Sequence, residues 1–433
     1  MATPVPIPEN LFNNLWVLLS GALVFIMTIS VGLLEIGELG KNYRQGLLKT
    51  IIITCLAFFV MGFIGFNTAF APCILGIIGN PLYSAPFIGG FSTDFPGILQ
   101  GVWWSMGPDY FNTGVTTSTY YFFETAFASV TLALVGIVAL RKMKLRAFTA
   151  FSIIYFIVIW NLPAAWIWNP TGWLYTLGMR DFAGGLVVHG AAAAAGLAIV
   201  VRIWMEEKQK GLSESPQIPT NVSHGWITLA ILLLWLGWFG FNPGSTLTWN
   251  HEANVVVLTT FLAASTSFLS LMFFKWWETR ENPGLIYSAN GVLMGLIVIT
   301  PIAGFVSPAS AVVLGAVSGP IYIWFEKFFA RKRWFSDPIG LFPGHLVGGL
   351  FGVVMIAFFT QAPYAAASGN GNLPNGLFFG GGYQALQQLA IEVFGIIAVM
   401  VTVFVLSFIT VWAIAKGMNG ITTDYTKEGL LPP

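Results

Sequence analysis

Residues 181–191 read DFAGGLVVHGA and run straight into AAAAGLAIVV at 192–201. The run has the length and apolarity of a membrane-spanning helix, yet it sets an imidazole, His189, inside the span. A polar side chain in hydrocarbon costs several kcal/mol unless a partner satisfies it, so His189 is either held by a partner or does work.

The whole chain supports the membrane reading. Of its 433 residues 56% are hydrophobic and only 9% charged, against about 25% charged in an ordinary soluble protein. That composition excludes a soluble enzyme or a nucleic-acid-binding protein. With 48 glycines and 15% aromatics, it fits closely packed helices with aromatic girdles and not a β-barrel, whose strands would alternate apolar and polar residues. Cys55 and Cys73 fall near the two ends of one apparent helix, roughly 27 Å apart at helical rise, too far to pair. Residues 1–11 carry no Lys or Arg, so the basic region of a signal peptide is missing and the first span is expected to stay on the protein.

Apolar runs give an all-α polytopic membrane protein of eleven spans, at about 12–36, 47–71, 117–140, 147–168, 182–204, 222–242, 253–275, 284–304, 307–326, 339–361 and 386–415. Residues 1–416 form the transmembrane domain and 417–433 a short cytoplasmic tail. Lys41, Arg44 and Lys49 follow span 1; Arg141, Lys142, Lys144 and Arg146 follow span 3; Lys208 and Lys210 follow span 5; Arg280 follows span 7; Arg331, Lys332 and Arg333 follow span 9. Apart from Arg180 the other connections hold no Lys or Arg, which puts the amino terminus outside and the carboxyl terminus in the cytoplasm. The outer connections hold Asp94, Asp109, Asp181 and Glu252, read either as a cation-attracting vestibule or as solvated loop and cap positions. Eleven spans divide as a 5+5 inverted repeat plus a final helix, as in many transporters.

VVHGA in span 5 and PGHLVGG in span 10 each set a histidine among small residues, about a third of the way in from opposite faces. His189 and His345 are therefore counterparts, whereas His224 and His251 fall where water reaches them. Three readings of the deep pair stand: separately satisfied core histidines, a bis-histidine haem site, and a working pair. Near the outer face, LGWFGFNPGST (236–246), FFETAFAS (122–129) and AAWIWNP (164–170) bring aromatic rings to one level beside Ser245. Aromatic belts explain most of the 17 tryptophans, but rings from three helices around a hydroxyl can also bind a small cation.

DFAGGLVVHGAAAAAG and GWFGFNPGS resemble the signatures of the Amt/Mep/Rh ammonium transporters, Amt branch. The likeness continues in MTISVGLLEIGELGKN, ITP at 299–301 and SDPIGLFPGH. The resemblance implies a homotrimer with a pore in each subunit and no cofactor. It implies that His189 and His345 are the twin pore histidines, that Phe127, Trp168, Phe241 and Ser245 form the external recruitment site, and that Phe123 stacks with Phe127 in a gate to which Phe241 also contributes. Asp181 matches the acid at the mouth of span 5, Thr300 a threonine of the lower pathway, and Asp337 an acid ahead of span 10. The chain departs from the family in having Gly340 where a last Asp is usual, Glu124 where a glutamine is common, and a short tail, KGMNGITTDYTKEGLLPP.

The expected function is transport of ammonium across the plasma membrane, serving nitrogen uptake. The cation is recruited and deprotonated outside, and ammonia is conducted with or without a relayed proton. A PII-type regulatory protein is the expected cytoplasmic partner. Two rivals are a sensor of ammonium signalling through a cytoplasmic partner and a channel for a neutral solute.

Overall fold

The computed structural model describes residues 9–39, 44–82, 115–139, 141–218 and 223–428. Lys41, Asp94, Asp109 and most of the 72–116 connection lie outside them. Among the described residues ten helices are long and apolar enough to cross a membrane, and one more apolar helix is shorter. In chain order they are α1 (Glu9–Leu39), α2 (Arg44–Phe70), α3 (Thr117–Ala139), α4 (Leu145–Ile167), α5 (Gly185–Gln209), α6 (His224–Gly244), α7 (His251–Thr279), α8 (Leu285–Ile299), α9 (Pro308–Ala330), α10 (Leu341–Phe359) and α11 (Gly382–Gly417).

Each expected span meets a helix, and the differences have local causes. Span 8 was expected to run to 304, but α8 stops at Ile299. Pro301 has no N–H to continue the ladder, and the chain turns through Ile302 and Phe305 instead. The free cysteines do not share a helix: Cys55 lies in α2, while Cys73 lies beyond Phe70 in a two-residue strand, Cys73–Ile74, paired antiparallel with Ile78–Gly79. His224 and His251 are exposed, as expected.

α1 packs along α6 and α3, α7 along α8 and α9, and α5 against α10 and α11. This arrangement puts α5 and α10 against each other at the histidines. A Cβ on Gly349 of α10 would stand 2.3 Å from the Gly185 carbonyl oxygen and 3.0 Å from His189 Cβ, so only glycine permits the approach. α11 turns Leu386, Ile397, Val401 and Ile409 outward as an apolar face, which suits lipid.

Two of the cations counted in the connections are structural. Lys49 is buried within α2, where it pairs with Glu35 and donates to the Gly136 carbonyl at 2.8 Å. Lys142 is buried against Glu207 at 3.1 Å and also donates to Ser215. Burial lowers the Lys142 ammonium pKa, and the Glu207 carboxylate opposes that shift.

The segment after α11 folds back onto the connection that follows α3 and the last turn of α5. Glu206 accepts from the Ile421 and Thr422 amides, Lys144 N donates to the Ile421 carbonyl at 2.8 Å, and Tyr425 donates to Glu207 at 2.7 Å.

Gly349→Ala is expected to force α5 and α10 apart and cost about 1–3 kcal/mol, the usual penalty for overpacking. A melting temperature equal to wild type on purified protein would show that the crossing tolerates the methyl group.

Candidate functional site

The site is built on two broken helix starts. An α-helix leaves its first amides without partners, and below the surface of a membrane protein water cannot serve them. Asp181 supplies what is missing: Oδ1 accepts from Gly184 (2.9 Å) and Gly185 (2.7 Å), and Oδ2 from Leu186 (2.8 Å) and Val187 (2.9 Å). At the other end of the bundle Asp337 Oδ1 accepts from Gly340 (3.1 Å) and Leu341 (2.8 Å), and Oδ2 from Phe342 (2.9 Å). Each carboxylate also meets the positive end of its helix. Gly184 and Gly340 take positive φ, 113° and 85°, which glycine adopts without strain. A widened π-type turn follows each, Gly185–Gly190 and Leu341–Leu346, and each carries a histidine at its fifth position.

The two stretches thus share one pattern, Asp-x-x-Gly-x-x-x-x-His. Gly340 serves the turn, and Asp337 caps α10 without a second aspartate at 340. Asp181 has all its close acceptor capacity in use, so it acts as a cap and not as a vestibule charge. Glu252 is also buried, within the first turn of α7.

The two caps bring His189 and His345 together, with Nδ1 to Nδ1 at 3.1 Å and ring centroids 5.1 Å apart. At that distance one Nδ1 carries the proton and the other accepts it. His189 stacks on Phe241 (5.9 Å, 14°) and on Trp238 (5.9 Å, 22°), and its Nε2 is buried without a partner among the described residues. The Trp238 indole is fixed in turn by Thr300 Oγ1 at 3.0 Å, and Thr300 donates to the Leu296 carbonyl. Thr300 therefore stands behind Trp238 and lines no cavity beside the histidines. Trp238 was not singled out from the sequence; its position three residues before Phe241 was the available signal.

The histidines border a cavity of about 20 Å³ walled by Val188, Leu234, Trp238 and Phe241. Toward the Asp337 end it shares Asn290, Tyr322 and Gly340 with a cavity of about 520 Å³ that also includes Glu38 and Glu326. At the Asp181 end lies a separate cavity of about 150 Å³, lined by Phe123, Glu124, Phe127, Trp168 and Ser245 among others. Phe127 and Phe241, with centroids 4.3 Å apart, stand between this cavity and the narrow one. Phe123 and Phe127 are tilted by 52° at 4.8 Å and not stacked. Trp168 meets Phe127 edge-on at 5.8 Å, and its indole donates to the Asp181 carbonyl at 2.8 Å. Ser245 Oγ spends its proton on the Phe241 carbonyl (2.8 Å) and so keeps its lone pairs for an incoming donor. Phe241 belongs to the narrow cavity and not to the wider one. Among the described residues no group of three His, Cys, Asp or Glu is placed to hold a metal ion.

Fold and site define a multi-pass helical membrane protein with a narrow apolar cavity at its centre, walled off by aromatic rings from a wider one. The chain belongs to the Ammonium Transporter Family, which it matches over residues 15–430. It is 30% identical to an ammonium transporter of Aquifex aeolicus, with 96% of this chain and 90% of that one covered. It is 32% identical to ammonium transporter Amt1 of Archaeoglobus fulgidus, with 81% of each covered. A solved structure titled Sensor Amt Protein shares the fold with a TM-score of 0.79 at 24% identity, covering 98% of this chain and 97% of that one. Membership makes this chain a protein of ammonium transport and not an enzyme.

Enclosure raises the half-buried Asp337 carboxyl from 3.8 to about 6, with three backbone N–H bonds pulling it back. A folded state that holds the proton more tightly than the unfolded chain gains stability as pH falls. The melting temperature of wild type relative to Asp337→Asn is therefore expected to fall as pH rises through the interval between those two values, and to stay level above it. A difference that grows with pH over that interval would contradict the assignment.

Proposed function

We propose that this protein moves ammonium by stripping it of a proton and passing ammonia along the histidine pair. The observation that carries the reading is the pair itself, two imidazoles 3.1 Å apart beside an apolar cavity of about 20 Å³. A cavity of that size holds about one water-sized molecule. A hydrated cation does not fit, and a bare one would pay a large desolvation cost that neutral ammonia escapes.

The cation is recruited in the cavity of about 150 Å³, where Trp168 and Phe127 offer ring faces and Ser245 an acceptor. Phe123, Phe127 and Phe241 form the gate, with Phe241 on its histidine side. Beyond it His189 and His345 offer one donor and one acceptor, and can relay the proton that ammonia leaves behind. Asp181 and Asp337 hold the two histidines in place, and Thr300 acts through Trp238.

The Asp181 end faces outside and the amino terminus with it, because Lys and Arg concentrate at the other end. The protein sits in the lipid bilayer of the plasma membrane as a homotrimer with one pore per subunit. Residues 1–416 are the transporter domain and 417–433 a cytoplasmic tail, beside which a PII-type protein would dock. The second reading is a sensor with little flux, which would bind ammonium at the same cavity and signal through a cytoplasmic partner.

In proteoliposomes His189→Ala is expected to abolish ammonium-driven current while the protein stays folded. Full current per folded protein in that variant, with melting temperature measured on the same preparation, would make the pair structural only. Absence of both current and internal alkalinisation in the wild type, together with retained ammonium binding, would favour the sensor.

Trp168→Leu is expected to raise half-saturation roughly ten-fold, since a partly desolvated cation–π contact is worth about 1–2 kcal/mol. An unchanged half-saturation would remove Trp168 from the site.

A further inference from the structure

Resting on the reading of the Asp181-end cavity as the recruitment site, we propose that Glu124 is a direct ligand of the ammonium ion there. Its Oε2 accepts one of the cation's N–H bonds. The placement follows from helix geometry. On α3, residues Tyr120, Glu124 and Phe127 recur at helical spacing on one face, and all three line that cavity with Phe123 beside them. Glu124 is 5% exposed. One side of its carboxyl is served by the Tyr120 hydroxyl, while Oε2 is buried with no hydrogen-bond partner.

A buried carboxylate normally has a cation or a set of donors to offset its desolvation. Here the Tyr120 hydroxyl serves one oxygen and Oε2 is left without a donor, and among the described residues no Lys or Arg forms an ion pair with Glu124. Arg180 lines the same cavity, but its Nη1 donates to the Tyr175 and Met179 carbonyls and its guanidinium lies 4.2 Å over the Tyr175 ring. The other carboxylate of the cavity, Asp181, has both oxygens committed to backbone amides. Glu124 is thus the carboxylate there with an acceptor to spare, in a largely aromatic wall that also carries the Ser245 oxygen. A tetrahedral donor with one positive charge matches that set: ring faces for the charge, and Ser245 and Glu124 for directed N–H bonds. Potassium carries the charge but no N–H to direct, so the carboxylate and serine together favour ammonium.

The test is equilibrium binding of ammonium chloride to the purified full chain by calorimetry, in a potassium-containing buffer, for wild type, Glu124→Gln, Glu124→Asp and Trp168→Leu. Glu124→Gln keeps the shape and removes the charge. It is expected to weaken binding about ten- to hundred-fold, the range for losing a hydrogen bond to a charged group. Glu124→Asp, which keeps the charge on a shorter arm, should fall between it and wild type. Wild-type affinity in Glu124→Gln overturns the proposal. If Glu124→Gln does not fold, wild-type affinity in Glu124→Asp overturns it instead. Trp168→Leu tells the two readings apart. Weakened binding there beside an unaffected Glu124→Gln leaves the recruitment site standing without Glu124, whereas wild-type binding in both removes the site as well.

Discussion

Two carboxylates that cap two interrupted helices hold the rest of the site in place. Asp181 takes four backbone amides and Asp337 three. Without them the first turns of α5 and α10 would leave N–H groups unsatisfied below the membrane surface, and each widened turn would lose its starting point. Because each histidine sits at the same step of its turn, fixing the two caps fixes the imidazole pair. The Asp181 loop is itself tied to three other helices. Trp168 at the end of α4 donates to its carbonyl, the Phe182 amide bonds the Pro301 carbonyl beyond α8, and the Arg180 amide bonds Glu392 of α11. The break in α8 is part of this arrangement, since Pro301 fills the space beside Gly185 that a side chain would need.

The aromatic groups act as walls with fixed faces. Trp168 is held through its indole by Asp181 and Trp238 by Thr300, and Phe241 lies between Phe127 on one side and His189 on the other. Rings pinned this way leave a narrow cavity at the histidines and a wider one toward each end. Under the proposed mechanism the shape selects by what a solute must give up: the wide cavity takes a partly hydrated cation, and the narrow one a small neutral molecule.

Much of this was legible in the sequence. Apolar length marked eleven helical segments, and two histidines among small residues in spans 5 and 10 marked the centre. The repeated Asp-x-x-Gly-x-x-x-x-His spacing was also present, but its meaning rests on positive φ at Gly184 and Gly340, which no hydrophobic pattern reports. Side-chain direction decided the remaining differences. Thr300 lies in the right segment yet points to Trp238, Phe241 borders the narrow cavity and not the wide one, and Lys49 is buried in α2 although its charge suggested a connection. Such facts depend on which neighbour fills the space, and one sequence does not encode that locally.

The central claim is that the pathway admits ammonia and refuses a bare cation. Its most direct test applies equal inward gradients of ammonium chloride and potassium chloride to proteoliposomes holding the wild-type protein, with the proton balance followed inside. The account predicts ammonium uptake with no potassium current at the same concentration. A potassium current comparable to the ammonium response would contradict it.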